Sequence, residues 1–340
     1  MTRSVRIGVA VALVVSAVLP FVGITIPGLF DGALNAPGTL NLLGMCFVFG
    51  ALAITYDIVF GYVGLLSFGH ALYFATGVYV TAIALARWHW SLPAALALTA
   101  IVSLVLPLVL GAICLRMRDI PFAMVTLAFA QAGSILVMQN PFGLTGGEEG
   151  LALGGDVLPS FLVGVVNTRN VYWVAFALIV VVYLVAWRAV NSPPGRVWQA
   201  IRENERRVGV LGLNPYIYKL GAFVLSAFLA SLCGVVYLLL QGGANPQVTT
   251  ADFTLALLVM VVLGGVGTLW GAVLGGIVYE YLDFRLVALS NAPAVQSLPA
   301  LLRVPLSEPL FLLGVLFIVL VLFVPGGLGG ALRRRLPARA

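Results

Sequence analysis

Long apolar runs separated by short polar breaks dominate this chain. Runs near the 20 residues or so that cross a bilayer fall at about 7–30, 40–60, 71–87, 92–115, 121–139, 171–190 and 220–241. Two shorter apolar pieces, 253–263 and 268–282, flank Leu263-Gly264-Gly265-Val266-Gly267, and a final run covers 308–325. The pattern predicts an all-α polytopic membrane protein with about ten transmembrane helices, some short or broken. The whole chain, 1–340, reads as one transmembrane domain. Segments 140–170 and 284–307 are too short to be domains of their own. The first run also resembles a signal peptide, but its apolar stretch continues without a small-residue cleavage site, so a retained span is expected.

One interruption differs from the others. Residues 188–219 hold six of the chain's 18 basic residues and two of its 12 acidic ones. Pro193 and Pro194 close the preceding span. Val197, Ile201, Val208 and Leu211 then recur on one helical face, while Arg196, Gln199, Arg202, Glu203 and Arg206 fall largely elsewhere. Gly212 and Asn214-Pro215 are stop signals. The loop 191–219 therefore carries a short amphipathic helix over about 196–212. Two readings of it remain: an interfacial helix resting on lipid, or a helix that docks on a soluble partner. Lipid-resting helices favour basic residues on the polar face, and the mixed-sign RENERR run fits a protein groove better.

Charge and composition sharpen this picture. The chain is 61% hydrophobic and 9% charged, with mean hydropathy +1.10, against about 25% charged in soluble domains. The bilayer must be its main solvent. Net charge is +6, but the arginines cluster at span ends, which is a topology signal rather than a nucleic-acid footprint. With the N-terminus inside and ten spans, the inside segments hold Arg3, Arg6, Arg116, Arg118, Arg188, Arg196, Arg202, Arg206, Arg207, Lys219, Arg333, Arg334, Arg335 and Arg339. The outside segments hold only Arg87, Arg169, Arg285 and Arg303. The excess inside places both termini in the cytoplasm.

Two glycine-rich breaks are candidate path or gate elements: Gly61 to His70, with Gly64, Ser67, Gly69 and His70, and Gly264 to Gly271, with Gly264, Gly265 and Gly267. Non-helical backbone at membrane depth is tolerated where it lines a cavity or is buried in protein. Close helix packing is the competing explanation for any one glycine. His70 is either a proton-sensitive gate or a histidine hydrogen-bonded near a loop. Asp57 and Glu280 are candidate ion sites near span ends. Cys46, Cys114 and Cys233 read as small core residues. No metal-ligand spacing, nucleophile motif or GxxxxGK[ST] loop occurs, so neither an enzyme nor an ATPase of that kind is expected. No cofactor is expected either.

GYVGLLSFGHALYFATGVYVTA, LTGGEEGL, AIRENERRVGVLGLN with YKLGAFVLSAFLASLCGVVY, and VMVVLGGVGTLWGAVLGG resemble, in order, the LivM-type permease subunits of bacterial branched-chain amino acid ABC transporters. The likeness runs from about residue 40 to 325. It implies a multi-pass permease of the bacterial inner membrane. The implied partners are a LivH-type permease, two cytoplasmic ATP-binding subunits and an extracytoplasmic solute-binding protein. It also implies that the charged helix couples to the ATPases, through a surface of Arg202, Glu203, Asn204, Glu205, Arg206 and Gly212. The older EAA consensus of such loops is absent. The competing function is an ion-coupled secondary transporter of amino acids or related solutes, working through Asp57 or Glu280.

Overall fold

The computed structural model describes residues 14–25, 30, 32–155, 158–162, 164, 167–290, 308–323 and 326–330. The expected first span lies partly outside the described residues. Within them, residues 14–18 are helical and pass into a 3-10 turn at Leu19–Phe21. The helix does not run on to 30: an antiparallel bridge joins Thr25 to Ala33.

The remaining helices follow the apolar runs: α1 (Pro37–Asp57), α2 (His70–Ala86), α3 (Leu92–Cys114), α4 (Asp119–Met138), α5 (Thr168–Val190), α6 (Pro193–Val210), α7 (Pro215–Gln241), α8 (Ala251–Gly264), α9 (Leu269–Ser290) and α10 (Pro309–Phe323). Several starts are written locally, with proline at N1 or N2 of α1, α3, α6 and α7, where its missing N–H costs nothing. Among the described residues, five helices are long and apolar enough to cross a bilayer: α1 with the turn that extends it, α3, α4, α5 and α7. Segment 284–307 is not all loop, since α9 continues to Ser290 and 291–307 lie outside the described residues.

α1 is the central element. It is buried almost throughout and packs against α5, α7, α8 and α9. α3, α4 and α5 instead expose apolar side chains such as Leu104, Leu108, Met124, Ile135 and Leu184, which is how lipid-facing or partner-facing helices are built. α2 and α7 run antiparallel at close range. A Cβ on Gly77 would strike the Ser231 carbonyl, and one on Gly234 would strike the Phe74 carbonyl. Small residues permit this approach where water supplies no driving force. α8 and α9 are likewise antiparallel, with Gly264 beside Gly271 and Gly275 beside Met260. α8 has 14 residues, about 21 Å at 1.5 Å per residue, which is shorter than a bilayer core of about 30 Å.

The helix ends gather into two faces. One carries α6, the end of α1, the 264–268 turn and the start of α4. The other carries the two-stranded sheet of Leu151–Ala152 with Gly243–Ala244 and the short 3-10 turn Pro246–Thr249.

Candidate coupling and gate site

The first break begins as α1 widens into a π-turn, Ile58–Val63, that ends at Gly64 in the left-handed region (φ 84°). The chain then folds back into the protein. Ser67 and His70 are fully buried. Tyr56 Oη donates to the Ser67 carbonyl (3.1 Å), Phe68 N to Thr126 Oγ1 (3.1 Å) and Ala71 N to Thr254 Oγ1 (3.1 Å). Thr55 Oγ1 donates to the Leu52 carbonyl (2.7 Å) and lies 2.9 Å from His70 Nε2. A hydroxyl has one hydrogen, so His70 Nε2 is the donor to Thr55. The ring also packs edge-on against Tyr56 and Tyr73. Thr55 stands eight residues before Val63, so α2 starts beside the body of α1 rather than at the end of the π-turn. Its first turn meets Thr254 in the first turn of α8. α2 thus begins inside the protein rather than at one of its faces, as broken helices in transporters do.

The second break is a tight turn. α8 ends at Gly264, and Gly265 and Gly267 have φ of 114° and 78°, which glycine adopts without steric cost. Thr268 Oγ1 donates to the Gly265 carbonyl (2.6 Å) and α9 starts at Leu269. The Gly267 amide donates to Asp57 Oδ1 (2.7 Å), tying this turn to the end of α1. Asp57 is fully buried, and its Oδ2 has no partner.

α6 joins the two breaks. Arg202 Nη1 donates to the Gly61 carbonyl. A Cβ on Gly64 would stand 3.0 Å from Arg202 Cγ, and one on Gly267 2.9 Å from Arg202 Nη1. The sequence-derived path residues therefore divide. Gly64 and Gly267 lie against Arg202 at one face, while Gly264 packs on Gly271 and Gly265 on Gly326 in the same turn. Ser67, Gly69 and His70 lie deeper, among Thr55, Thr126 and Thr254. A cavity of about 530 Å³ opens between α6, the 64–68 segment and the start of α4, lined by Gly64, Phe68, Asp119, Met124, Arg202 and Asn204.

α6 differs in detail from the expected helix. Ser192 caps it (Gly195 N to Ser192 Oγ, 3.4 Å), so it begins at Pro193 rather than near 196. Asn204 leaves the helical region (φ −161°, ψ 98°) and its Oδ1 caps the following half through Arg207 N (3.1 Å). The buried face is Trp198, Ile201 and Val208, while Leu211 is 78% exposed. Trp198 Nε1 donates to the Tyr218 carbonyl (2.9 Å) and fixes α6 on α7. Among the residues expected to form the coupling surface, Arg202, Glu203, Asn204, Arg206 and Gly212 are exposed, although the tip of Arg202 meets the Gly61 carbonyl. Glu205 instead pairs with Lys219 within the chain (2.7 Å). Asp57, Thr55, Thr126, Thr254 and Trp198 join the site without having been singled out for it. Only Asp57, as a carboxylate in an apolar run, carried a signal.

A membrane-embedded helical bundle with two broken segments joined by one charged surface helix has features that membrane transport proteins share. The sequence matches the family described as "Branched-chain amino acid transport system / permease component" over residues 38–324, and the protein belongs to that family. It is 30% identical over 263 residues to the high-affinity branched-chain amino acid transport system permease protein LivM of Salmonella typhimurium, covering 71% of this chain and 61% of the relative. LivM of Escherichia coli is 28% identical over 262 residues, with the same coverage. The permease protein LivH of Salmonella typhimurium is 26% identical over 269 residues, covering 72% of this chain and 82% of that protein. The matched region thus spans 61% of the length of these two LivM relatives. No solved structure matches the chain.

Proposed function

We propose that this protein is the transmembrane permease subunit of an ATP-driven importer, carrying branched-chain amino acids across a bacterial inner membrane. In this reading it pairs with a second, LivH-like permease and receives substrate from an extracytoplasmic binding protein. Two cytoplasmic ATP-binding subunits dock on α6. The chain crosses the membrane ten times with both termini inside, α6 lying on the cytoplasmic face in keeping with its arginines.

The single observation that carries this reading is the placement of α6. Its outward side offers Glu203, Arg206 and Arg207 to a partner. From the same helix Arg202 reaches the Gly61 carbonyl beside the Gly267 turn. A helix docked on a motor and bonded to a broken segment can move the ends of α1 and α9 together. The geometry supports Gly64, Gly264, Gly265 and Gly267 as the moving inner gate, and Ser67, Gly69 and His70 as the rigid bed on which α2 starts. The substrate would pass between this subunit and its partner, bound weakly, with specificity set largely by the binding protein. Reconstitution of this chain with a LivH-like permease, the ATPases and the binding protein tests this. Leucine uptake that requires ATP is expected, and uptake that persists without the ATPases contradicts it.

A further inference from the structure

Asp57 is a buried carboxylate with one satisfied oxygen. Oδ1 accepts from Gly267 N (2.7 Å), while Oδ2 has no partner. A buried acceptor left unmatched costs its full desolvation, so each case needs a reason. Beside it, among the described residues, Arg202 is exposed and makes one hydrogen bond within the protein, to the Gly61 carbonyl, so the rest of its five N–H donors face solvent and can be exchanged.

Gly61 and Gly267 separate the two charges, and neither has room for a side chain. A Cβ on Gly61 would overlap Asp57 Oδ1, and one on Gly267 would stand 2.9 Å from Arg202 Nη1. The Arg202 stem lies over Gly64, 3.0 Å from where a Cβ would be. A guanidinium with spare donors and a carboxylate with a spare oxygen thus flank the same turn. α6 breaks at Asn204, two residues beyond Arg202, while Glu205 beyond the break is held by Lys219 of α7, so the half that carries Arg202 can shift against that anchor.

We infer that Asp57 and Arg202 are the two halves of a latch: when α6 moves, Arg202 exchanges the Gly61 carbonyl for the free Asp57 oxygen, and this exchange drives the Gly267 turn. Arg202 is then a positioning residue that acts through Asp57, not a docking residue for the motor. The inference rests on the permease reading and deepens it.

Two measurements test the latch. In the reconstituted complex, Asp57→Asn keeps an amide oxygen for Gly267 N but offers Arg202 no charge. Uptake per ATP hydrolysed is expected to fall about tenfold, a typical coupling between sites, with assembly and thermal stability retained. Arg202→Gln should give a similar loss, and the double variant should be no worse than either single one. Wild-type coupling in Asp57→Asn, or losses that multiply in the double variant, would overturn the latch. Should Asp57→Asn fail to fold, Arg202→Gln on the surface helix carries the test.

The second measurement uses the full-length chain alone in detergent. Arg202→Gln is expected to speed hydrogen exchange at the Gly267 amide at least about fivefold. Unchanged exchange overturns the latch even if transport succeeds. Failure of ATP-driven uptake in the wild type, with this exchange effect present, would instead sink the permease reading and leave the latch standing.

Discussion

Ala71 N donates to Thr254 Oγ1 at 3.1 Å, joining the first turn of α2 to the first turn of α8 across 183 residues of chain. A helix start has four amides without helical partners. At the surface, water would take them. Here the start is buried, and a threonine from another element caps it. Thr254→Val keeps the shape and removes the acceptor. It should lower stability by about 1–3 kcal/mol, the cost of an unmatched buried donor, whereas Thr254→Ser should cost little. Unfolding in detergent measures both, and a valine variant as stable as wild type would refute the cap.

Thr55 and His70 make a second such joint. Thr55→Val leaves His70 Nε2–H without an acceptor in a fully buried position. A loss of about 1–3 kcal/mol is expected, with the apparent KM for substrate unchanged. A changed KM at full stability would put His70 in the path rather than in its support.

The Glu205–Lys219 pair fixes α6 to the start of α7. Lys219 is 8% exposed and Glu205 31%, so the pair is only partly screened. Glu205→Gln should cost about 1–3 kcal/mol, because it leaves the lysine without its counter-charge. Glu203→Gln, on the exposed side, should stay within about 0.5 kcal/mol. Equal effects from the two variants would argue against this division of the RENERR run.

Much of the architecture was legible because one signal sets it. An apolar run of bilayer length has few alternatives in lipid, and the described helices beyond the first run match their expected spans closely, except that α9 runs on to Ser290. The breaks were legible from Gly64 and from Gly264, Gly265 and Gly267. The depth of Ser67 and His70 was not, because the groups that hold them come from remote segments. Thr126 and Thr254 look like ordinary span residues until the helices are side by side. The face of α6 was read partly wrongly, for a local reason. The stripe of Val197, Ile201, Val208 and Leu211 assumes one continuous helix. Asn204 breaks the helix and shifts its phase, so Leu211 turns outward, while Trp198, outside the aliphatic pattern, becomes the anchor.

The exposed side of α6 makes its own prediction. Replacing Glu203 and Arg206 together with alanine should leave membrane insertion and thermal stability intact. Transport-coupled ATP hydrolysis should fall about tenfold, as for the loss of about 1.4 kcal/mol at a partner interface. Full coupling in a purified complex would mean that the motor meets another part of the chain.

The most direct test of the central claim is leucine uptake into proteoliposomes, measured with and without the ATP-binding subunits. Accumulation that needs both those subunits and ATP, and is indifferent to sodium or proton gradients, is the predicted result. Robust gradient-driven accumulation by the permeases alone would contradict the account and turn attention to Asp57 and Glu280 as ion sites.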